Sequence, residues 1–212
     1  MRVIVTRPAH QAGPLAARLE ELGHEVVLCP LIEIEPLGDD PIEVGGYDWL
    51  VVTSANGAHE LGRRGLEGGR PRIAAVGPAT AEALRDVGFA PDLVAEVSSQ
   101  EGLVAALPRP ADRVLLAAAE GARDLLVREL GAELLPLYRT RELTPAELPA
   151  GDVAVLASPS QARAFARLAL AIPVVTIGPQ TTAAARAAGL DVAAEAKTQD
   201  IAGLVAAVQA VG

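Results

Sequence analysis

The sequence predicts an α/β protein of two similar domains, each a parallel sheet flanked by helices, with a cleft between them. Three observations predict this. Short, almost wholly apolar runs alternate with amphipathic stretches from end to end, the pattern of βαβ units whose strands are buried on both faces. Four amphipathic stretches stop at a glycine just past the last apolar position, at Gly23, Gly88, Gly131 and Gly189, as helix C-termini do. Finally, the chain repeats itself once.

Taken in order, Arg2–Thr6 reads as a strand and Pro14–Leu22 as the helix after it, closed by Gly23. Glu25–Cys29 is the second strand, halted by Pro30. Asp48–Thr53, Ile73–Val76, Arg113–Ala117, Glu133–Leu137, Val153–Ala157 and Val174–Ile177 are further aliphatic runs of strand length, with weaker ones near Leu93 and Val192. Helices are expected at Ala58–Arg64, Thr80–Val87, Ala122–Leu130, Gln161–Leu170 and Thr181–Ala188, where apolar residues recur at helical spacing.

The repeat is specific. VGPATAEALR at 76–85 matches IGPQTTAAAR at 177–186, an offset of 101 that persists through Gly88 and Gly189 to GLVAA at 102–106 and 203–207. Upstream, Asp48–Ser54 matches Asp152–Ser158 at an offset of 104, and Pro30–Leu37 matches Pro136–Leu143 at 106. Val3–Gly23 corresponds loosely to Val114–Gly131, so the halves run over about 1–107 and 112–212. Alanine-rich sequence matches itself by chance, but Gly-Pro-x-Thr turns and glycine pairs at a single offset do not. The period far exceeds the roughly 20–50 residues of solenoid repeats. It suits a duplicated α/β domain, whose ligands are expected at the carboxyl ends of the strands.

Composition narrows the function. A chain of 212 residues buries about 70% of its unfolded surface and needs no disulfide or metal to fold. With 18 basic against 27 acidic residues the net charge is −9, and no basic cluster is present to neutralise phosphates, which disfavours a nucleic-acid partner. A single cysteine, Cys29, excludes an internal disulfide and a multi-cysteine zinc site. The opening MRVIVTRP is too short for a signal-peptide core, and Leu168–Ile177 falls short of a membrane span. The expectation is a soluble, cytoplasmic protein with no membrane partner.

Candidate site residues lie at the predicted strand ends. Thr53-Ser54-Ala55-Asn56-Gly57, Gly77-Pro78-Ala79-Thr80, Ser158-Pro159-Ser160-Gln161 and Gly178-Pro179-Gln180-Thr181 each follow a strand and open a helix. Ser and Asn are N-cap residues, Pro fits the first helical turn, and small side chains leave backbone N–H groups open to an anion. Ordinary βα turns have the same composition, so the four together carry the argument. Arg7 follows the first strand, where it meets either an acidic ligand or a surface acid. Tyr138 follows Glu133–Leu137; a phenol with pKa near ~10 stays protonated at neutral pH and can donate a proton. No G-x-G-x-x-G follows a strand and no P-loop is present, which removes the dinucleotide and nucleotide phosphate cradles. His10, His24 and His59 lack metal-ligand spacing and read as solvated, and Cys29 reads as inert packing.

The ordered set VTRP, L-x-x-x-G-x-E-V at 19–26, PLIEIEP at 30–36, DWLVVTSANGA at 48–58, VGPATAEAL at 76–84, LYRT at 137–140, SPSQARAF at 158–165 and IGPQTTAAA at 177–185 resembles the bacterial uroporphyrinogen-III synthase family. The likeness covers nearly the whole chain. It implies two flavodoxin-like domains, one from residues 1–35 plus 145–212 and the other from 38–135, joined by a two-stranded connector of 30–37 and 136–144. The repeat alone equally suits two contiguous halves. The resemblance further implies a cofactor-free and metal-free cyclisation of hydroxymethylbilane, an octacarboxylate, with inversion of ring D and loss of water. On that reading the terminal hydroxyl leaves to give an azafulvene, attack at the substituted carbon of ring D gives a spiro intermediate, and re-closure inverts the ring. Tyr138 matches the tyrosine proposed to supply the proton. Thr53, Ser54, Thr80, Ser158, Ser160 and Thr181 fall at positions near the ligand, and Gln180 stands where a hydroxyl is expected. The implied protein is a monomer that receives its substrate from hydroxymethylbilane synthase. The competing reading is a non-catalytic sensor built on the same scaffold.

Overall fold

A computed structural model describes residues 1–109 and 113–212, so the start of the second repeat half at residue 112 lies outside the described residues. In chain order the elements are β1 (Arg2–Val5), α1 (Ala9–Glu21), β2 (Glu25–Leu28), β3 (Ile32–Pro36), β4 (Ile42–Glu43), β5 (Trp49–Val52), α2 (Ala55–Arg64), β6 (Leu66–Glu67), β7 (Arg72–Ala75), α3 (Pro78–Asp86), β8 (Leu93–Val94), α4 (Gln100–Ala106), β9 (Val114–Ala119), α5 (Leu125–Leu130), β10 (Glu133–Glu142), β11 (Val153–Leu156), α6 (Pro159–Ala166), β12 (Val174–Thr176), α7 (Pro179–Ala187), β13 (Val192–Glu195) and α8 (Ile201–Gln209).

The chain forms two compact units, residues 1–33 with 140–212 and residues 34–139. The first holds the sheet β13-β12-β11-β1-β2, whose pairings are all parallel. The second holds β10-β9-β5-β7-β8, again all parallel, with β3 beside β10 and a small β4-β6 pair. Aligned through the repeat, the two spatial orders are the same, because β9 and β10 take the places of β1 and β2. Each unit therefore combines two strands from one half of the chain with three from the other. The order is the doubly wound 2-1-3-4-5 pattern.

Side chains alternate between two cores in each sheet, as a period of two requires. Val3, Val5, Val153 and Val155 face one core with Leu15, Leu19 and Leu204, while Ile4, Ala154 and Leu156 face the other with Phe165 and Ala185. In the second unit Leu50, Val52, Leu115 and Ala117 pack with Leu61 and Leu84, and Trp49, Val51, Val114 and Leu116 with Leu103 and Leu126. The α/β class with parallel sheets flanked by helices is as the sequence predicts.

Boundaries differ in informative ways. α1 begins five residues before Pro14 and runs through it. Gly13, which lacks the Cβ that would meet the proline ring, allows this. α6 ends at Ala166 rather than Leu170, and Ala169 sits at φ 51 beyond it. α5 begins at Leu125 rather than Ala122, because Gly121 takes φ 73 in a turn. α4 and α8, each with a glycine in its first turn, are additional to the helices expected. Each glycine is the third residue of its helix, and its N–H donates to a capping side chain, Gly102 to Ser99 at 3.0 Å and Gly203 to Asp200 at 2.6 Å.

The repeat has a packing explanation. A Cβ at Gly102 would lie 2.0 Å from the Val97 carbonyl oxygen, and one at Gly203 2.1 Å from that of Thr198. A Cβ at Gly77 would meet Ser98 Oγ at 2.2 Å, and one at Gly178 would meet Gln199 Cγ at 2.9 Å. Gly77 and Gly178 have extended backbone, φ 177 and 167, so the close side chains, not the backbone conformation, favour glycine there. Asp48 and Asp152 also act alike, accepting from the N–H groups of Arg113 at 3.0 Å and Arg2 at 2.7 Å. Substituting Gly102→Ala or Gly203→Ala is expected to destabilise by about 1–3 kcal/mol, read as a lower urea midpoint, because a backbone oxygen must shift. The exposed Ala105→Ser is expected to change it by less than about 0.5 kcal/mol.

Candidate functional site

In a doubly wound sheet the strand order reverses at one point, and the loops leaving the strand ends there diverge to opposite faces and open a crevice. In the unit of residues 34–139 that point lies between β5 and β9, and in the other unit between β1 and β11. The predicted residues Thr53 to Gly57 leave β5, Arg7 leaves β1, and Ser158 to Gln161 leave β11.

In the 34–139 unit, Ser54 caps α2 by accepting the Gly57 N–H at 3.0 Å, and its Oγ lies 2.8 Å from Tyr138 Oη. Tyr138 is not beyond its strand, as the sequence suggested, but inside β10, which continues to Glu142. The resemblance implies a connector strand over 136–144, and the extension falls there with its charged residues. They are cross-strand partners: Arg139 bonds Glu35 at 2.8 and 2.9 Å, and Arg141 bonds Glu33. The pairing of β10 with β9 slips at Leu137, so that Pro136 faces Ala118 and Tyr138 faces Ala119. This bulge puts Leu137 and Tyr138 on the same face, both in the core beneath α2. Without it Tyr138 would point to the opposite side of the sheet. Gly57 adds room, since a Cβ there would sit 3.3 Å from Ser54 Oγ. Tyr138 is 5% exposed. Burial raises its phenol above the ordinary value, and hydrogen bonds with Ser54 and Asn56 act in the other direction. Asn56 therefore belongs to the same cluster.

In the other unit the repeat partner of Gly57 is Gln161, which is 2% exposed. Gln161 Oε1 accepts the Ala157 N–H at 2.7 Å and lies 3.0 Å from Thr6 Oγ1, which is also 2.8 Å from the Val155 carbonyl. Gln161, one of the predicted ligand contacts, ties the ends of β1 and β11 together through its amide oxygen. Ser158 caps α6 by accepting the Gln161 N–H at 3.2 Å. Arg7 is half-buried and, among the described residues, has neither ion pair nor hydrogen-bond partner; burial lowers its pKa from the ordinary value. It remains charged.

The remaining predicted residues divide between helix ends and interior. Pro78 and Pro179 are exposed first residues of α3 and α7, and Gly77 and Gly178 cap those helices without a side-chain bond. Thr80 and Thr181 are buried. Ser160 Oγ accepts from Arg163 at 3.2 Å. Thr53 and Ala55 are half-buried beside Ser54. The structure thus brings Ser54, Asn56 and Tyr138 together. His10 and His59 are exposed, whereas His24 is half-buried with Nδ1 unpartnered. Cys29 is buried and its thiol pushed up in pKa by desolvation. Among the described residues no group of three or more His, Cys, Asp or Glu is placed to hold a metal ion, and no helix is long and apolar enough to cross a membrane. The bulge was the feature invisible in sequence; its only trace is Leu137-Tyr138 breaking the alternation that Leu135 and Leu137 begin.

Over residues 13–206 the sequence matches the family described as uroporphyrinogen-III synthase HemD. The chain belongs to the uroporphyrinogen-III synthase family. A uroporphyrinogen-III synthase from Synechococcus elongatus is 28% identical over 167 residues, 69% of this chain and 62% of the relative. The chain spans less than two thirds of the length of the curated relatives it matches, 63% and 32% for two others. Among solved structures, a mutant uroporphyrinogen III synthase from Thermus thermophilus aligns with TM-score 0.69 at 17% identity, covering 100% of this chain and 98% of that one. Uroporphyrinogen-III synthetase from Helicobacter pylori aligns at 0.66 and 18%, covering 100% of both. At such identities the likeness speaks for the fold.

Because the folded-state pKa of Tyr138 lies above its unfolded value near ~10, its contribution to stability is complete below that value and is lost as pH rises through the folded pKa. Urea midpoints measured from neutral to strongly alkaline pH should therefore fall more steeply for the wild type than for Tyr138→Phe. Equal slopes would remove the buried, protonated phenol from the account.

Proposed function

We propose that this chain is a uroporphyrinogen-III synthase, a cofactor-free lyase that closes hydroxymethylbilane to uroporphyrinogen III with inversion of ring D and loss of water. The observation that carries the reading is the Tyr138–Ser54 hydroxyl pair at 2.8 Å, beside the point where the strand order reverses, in a chain of this family. A phenol is the acid that such a step needs. It stays protonated at neutral pH, and in a buried setting it assists the departing hydroxyl without leaving a charge on the enzyme in the resting state. The hydroxyl takes one proton and leaves as water. Re-aromatisation after ring closure releases one proton, which restores the phenol, so the cycle balances without a cofactor or metal. Most of the rate then comes from holding the chain ends of the substrate in a reactive geometry.

Binding falls to the turns. We assign substrate contacts to Arg7, Thr53, Ser54, Ala55, Asn56, Gly77, Pro78, Thr80, Ser158, Ser160, Gly178, Pro179 and Thr181, mainly through backbone N–H groups at helix starts; each such terminus favours an anion by about 0.3–1 kcal/mol. Gln161 we keep as the brace behind them. Arg7 is the side chain best suited to a carboxylate, since an unpaired half-buried guanidinium is unfavourable until an anion arrives. The reading assigns the protein to the cytoplasm as a monomer supplied by hydroxymethylbilane synthase.

A coupled assay that feeds hydroxymethylbilane and separates the two isomers tests the activity. Isomer III is expected well above the spontaneous rate, and isomer I alone at the uncatalysed rate would sink the proposal in favour of a non-catalytic ligand sensor. Tyr138→Phe should lower kcat about a hundredfold with little change in KM. Arg7→Gln should do the reverse, raising KM roughly tenfold, the loss expected for one charge-assisted hydrogen bond; an unchanged KM would take Arg7 out of the site.

A further inference from the structure

The proton of Tyr138 serves the reaction only if it points away from α2, and the groups around Oη decide its direction. Ser54 Oγ already accepts the Gly57 N–H at 3.0 Å, so its own proton is available to donate. Tyr138 Oη lies 2.8 Å away. Asn56, two positions beyond the cap, lowers the pKa of the same phenol, the direction in which a donor acts, and an amide nitrogen supplies N–H donors. A phenol oxygen has one proton and two lone pairs; two donors from α2 fill the lone pairs and leave the O–H directed elsewhere.

We propose that Ser54 and Asn56 are positioning residues that donate to Tyr138 Oη and thereby turn its O–H toward the substrate, an inference that rests on the synthase reading. The duplicated turn provides a comparison within the same molecule. At the offset of 104, Ser158 keeps the capping role of Ser54, but Ser160 replaces Asn56 and bonds Arg163, and Gln161 fills the place of Gly57. Where no phenol is served, the side-chain amide and the open glycine are both absent. Electrons flow the useful way as well: two donors on Oη and the N-terminus of α2 beside it stabilise negative charge that develops there as the proton leaves.

Tyr138 becomes the sole tyrosine in a Tyr47→Phe background, so 3-fluorotyrosine incorporation and fluorine NMR follow its titration alone. Ser54→Ala and Asn56→Ala each remove a donor, and each should move the Tyr138 titration to higher pH. In the same variants kcat should fall roughly tenfold with KM within about twofold. Ser54→Thr, which keeps the hydroxyl and the cap, should restore both readouts. A titration that moves to lower pH in Ser54→Ala would mean that Tyr138 donates to Ser54, and would overturn the proposal, as would an unmoved titration or an unchanged kcat. Asn56→Ala carries the test if Ser54→Ala fails to fold. Failure of the synthase reading is separable: the wild type would then yield isomer I only, whatever the titrations show.

Discussion

Everything distinctive about this chain depends on the antiparallel pairing of β3 with β10. The chain passes from one unit to the other inside these two strands, at 33/34 and at 139/140. Their hydrogen bonds run from Leu37 N–H to the Leu137 carbonyl at 2.8 Å and from Leu143 N–H to that of Leu31 at 2.9 Å. Glu35 with Arg139 and Glu33 with Arg141 occupy the matching cross-strand positions. Each exposed ion pair contributes little to stability, ~0–1 kcal/mol. Their value is registration: only in this register do both acids face an arginine, and a two-residue slip leaves one acid and one arginine unpaired. With register fixed at 35/139, the chain has no slack left before Tyr138, and the extra residue needed to meet β9 appears as the bulge at Leu137.

The bulge then determines the chemistry available. A regular strand would alternate Leu137 into one core and Tyr138 into the other, away from α2. The slip sends both into the same core and brings the phenol to the cap of α2. A cap hydroxyl with a satisfied lone pair is a rigid partner, because its orientation is set by the helix rather than by solvent. Local structure, helix start and strand irregularity are thus one constraint rather than three.

Much of this was legible in the sequence, and the reasons for the failures are physical. Doubly buried parallel strands such as Trp49–Val52 and Val153–Leu156 announce themselves as apolar runs, and positive-φ glycines such as Gly88 at φ 90 mark helix ends. The two missed helices contain glycines forced by a neighbouring carbonyl, a tertiary cause that composition cannot display. Read from its residues alone the strand stops at Leu137, because Arg139 and Arg141 are explained by acids more than a hundred residues earlier in the chain, whereas the resemblance implies a connector strand over 136–144. At the candidate site the residue types were readable as N-caps and a tyrosine just past a strand. Their convergence was not, since it follows from a register slip with no signature in side-chain chemistry. Gln161 shows the opposite case: a polar residue at a helix start reads as a ligand contact, and its bracing of Thr6 and Ala157 through the amide oxygen has no trace in the sequence.

Duplication explains why both units carry similar turns, and divergence explains why they need not do similar work. Glycine pairs, capping serines and the Asp48/Asp152 contacts are retained because each is demanded by the backbone of a doubly wound unit. The differences fall where the backbone makes no demand. Thr176, Thr182 and Glu195 form a hydrogen-bonded chain in one unit, while the positions 101 residues earlier are Ala75, Ala81 and Val94. Gln161 fills a space that Gly57 leaves open. Binding a ligand with many equivalent charged groups profits from repeated turns, whereas proton transfer to one leaving group needs a single donor aimed once. On the proposed reading, a scaffold duplicated in its turns and asymmetric at Gly57 and Tyr138 meets both requirements, which makes the asymmetry a better guide to a reacting end than the repeat itself.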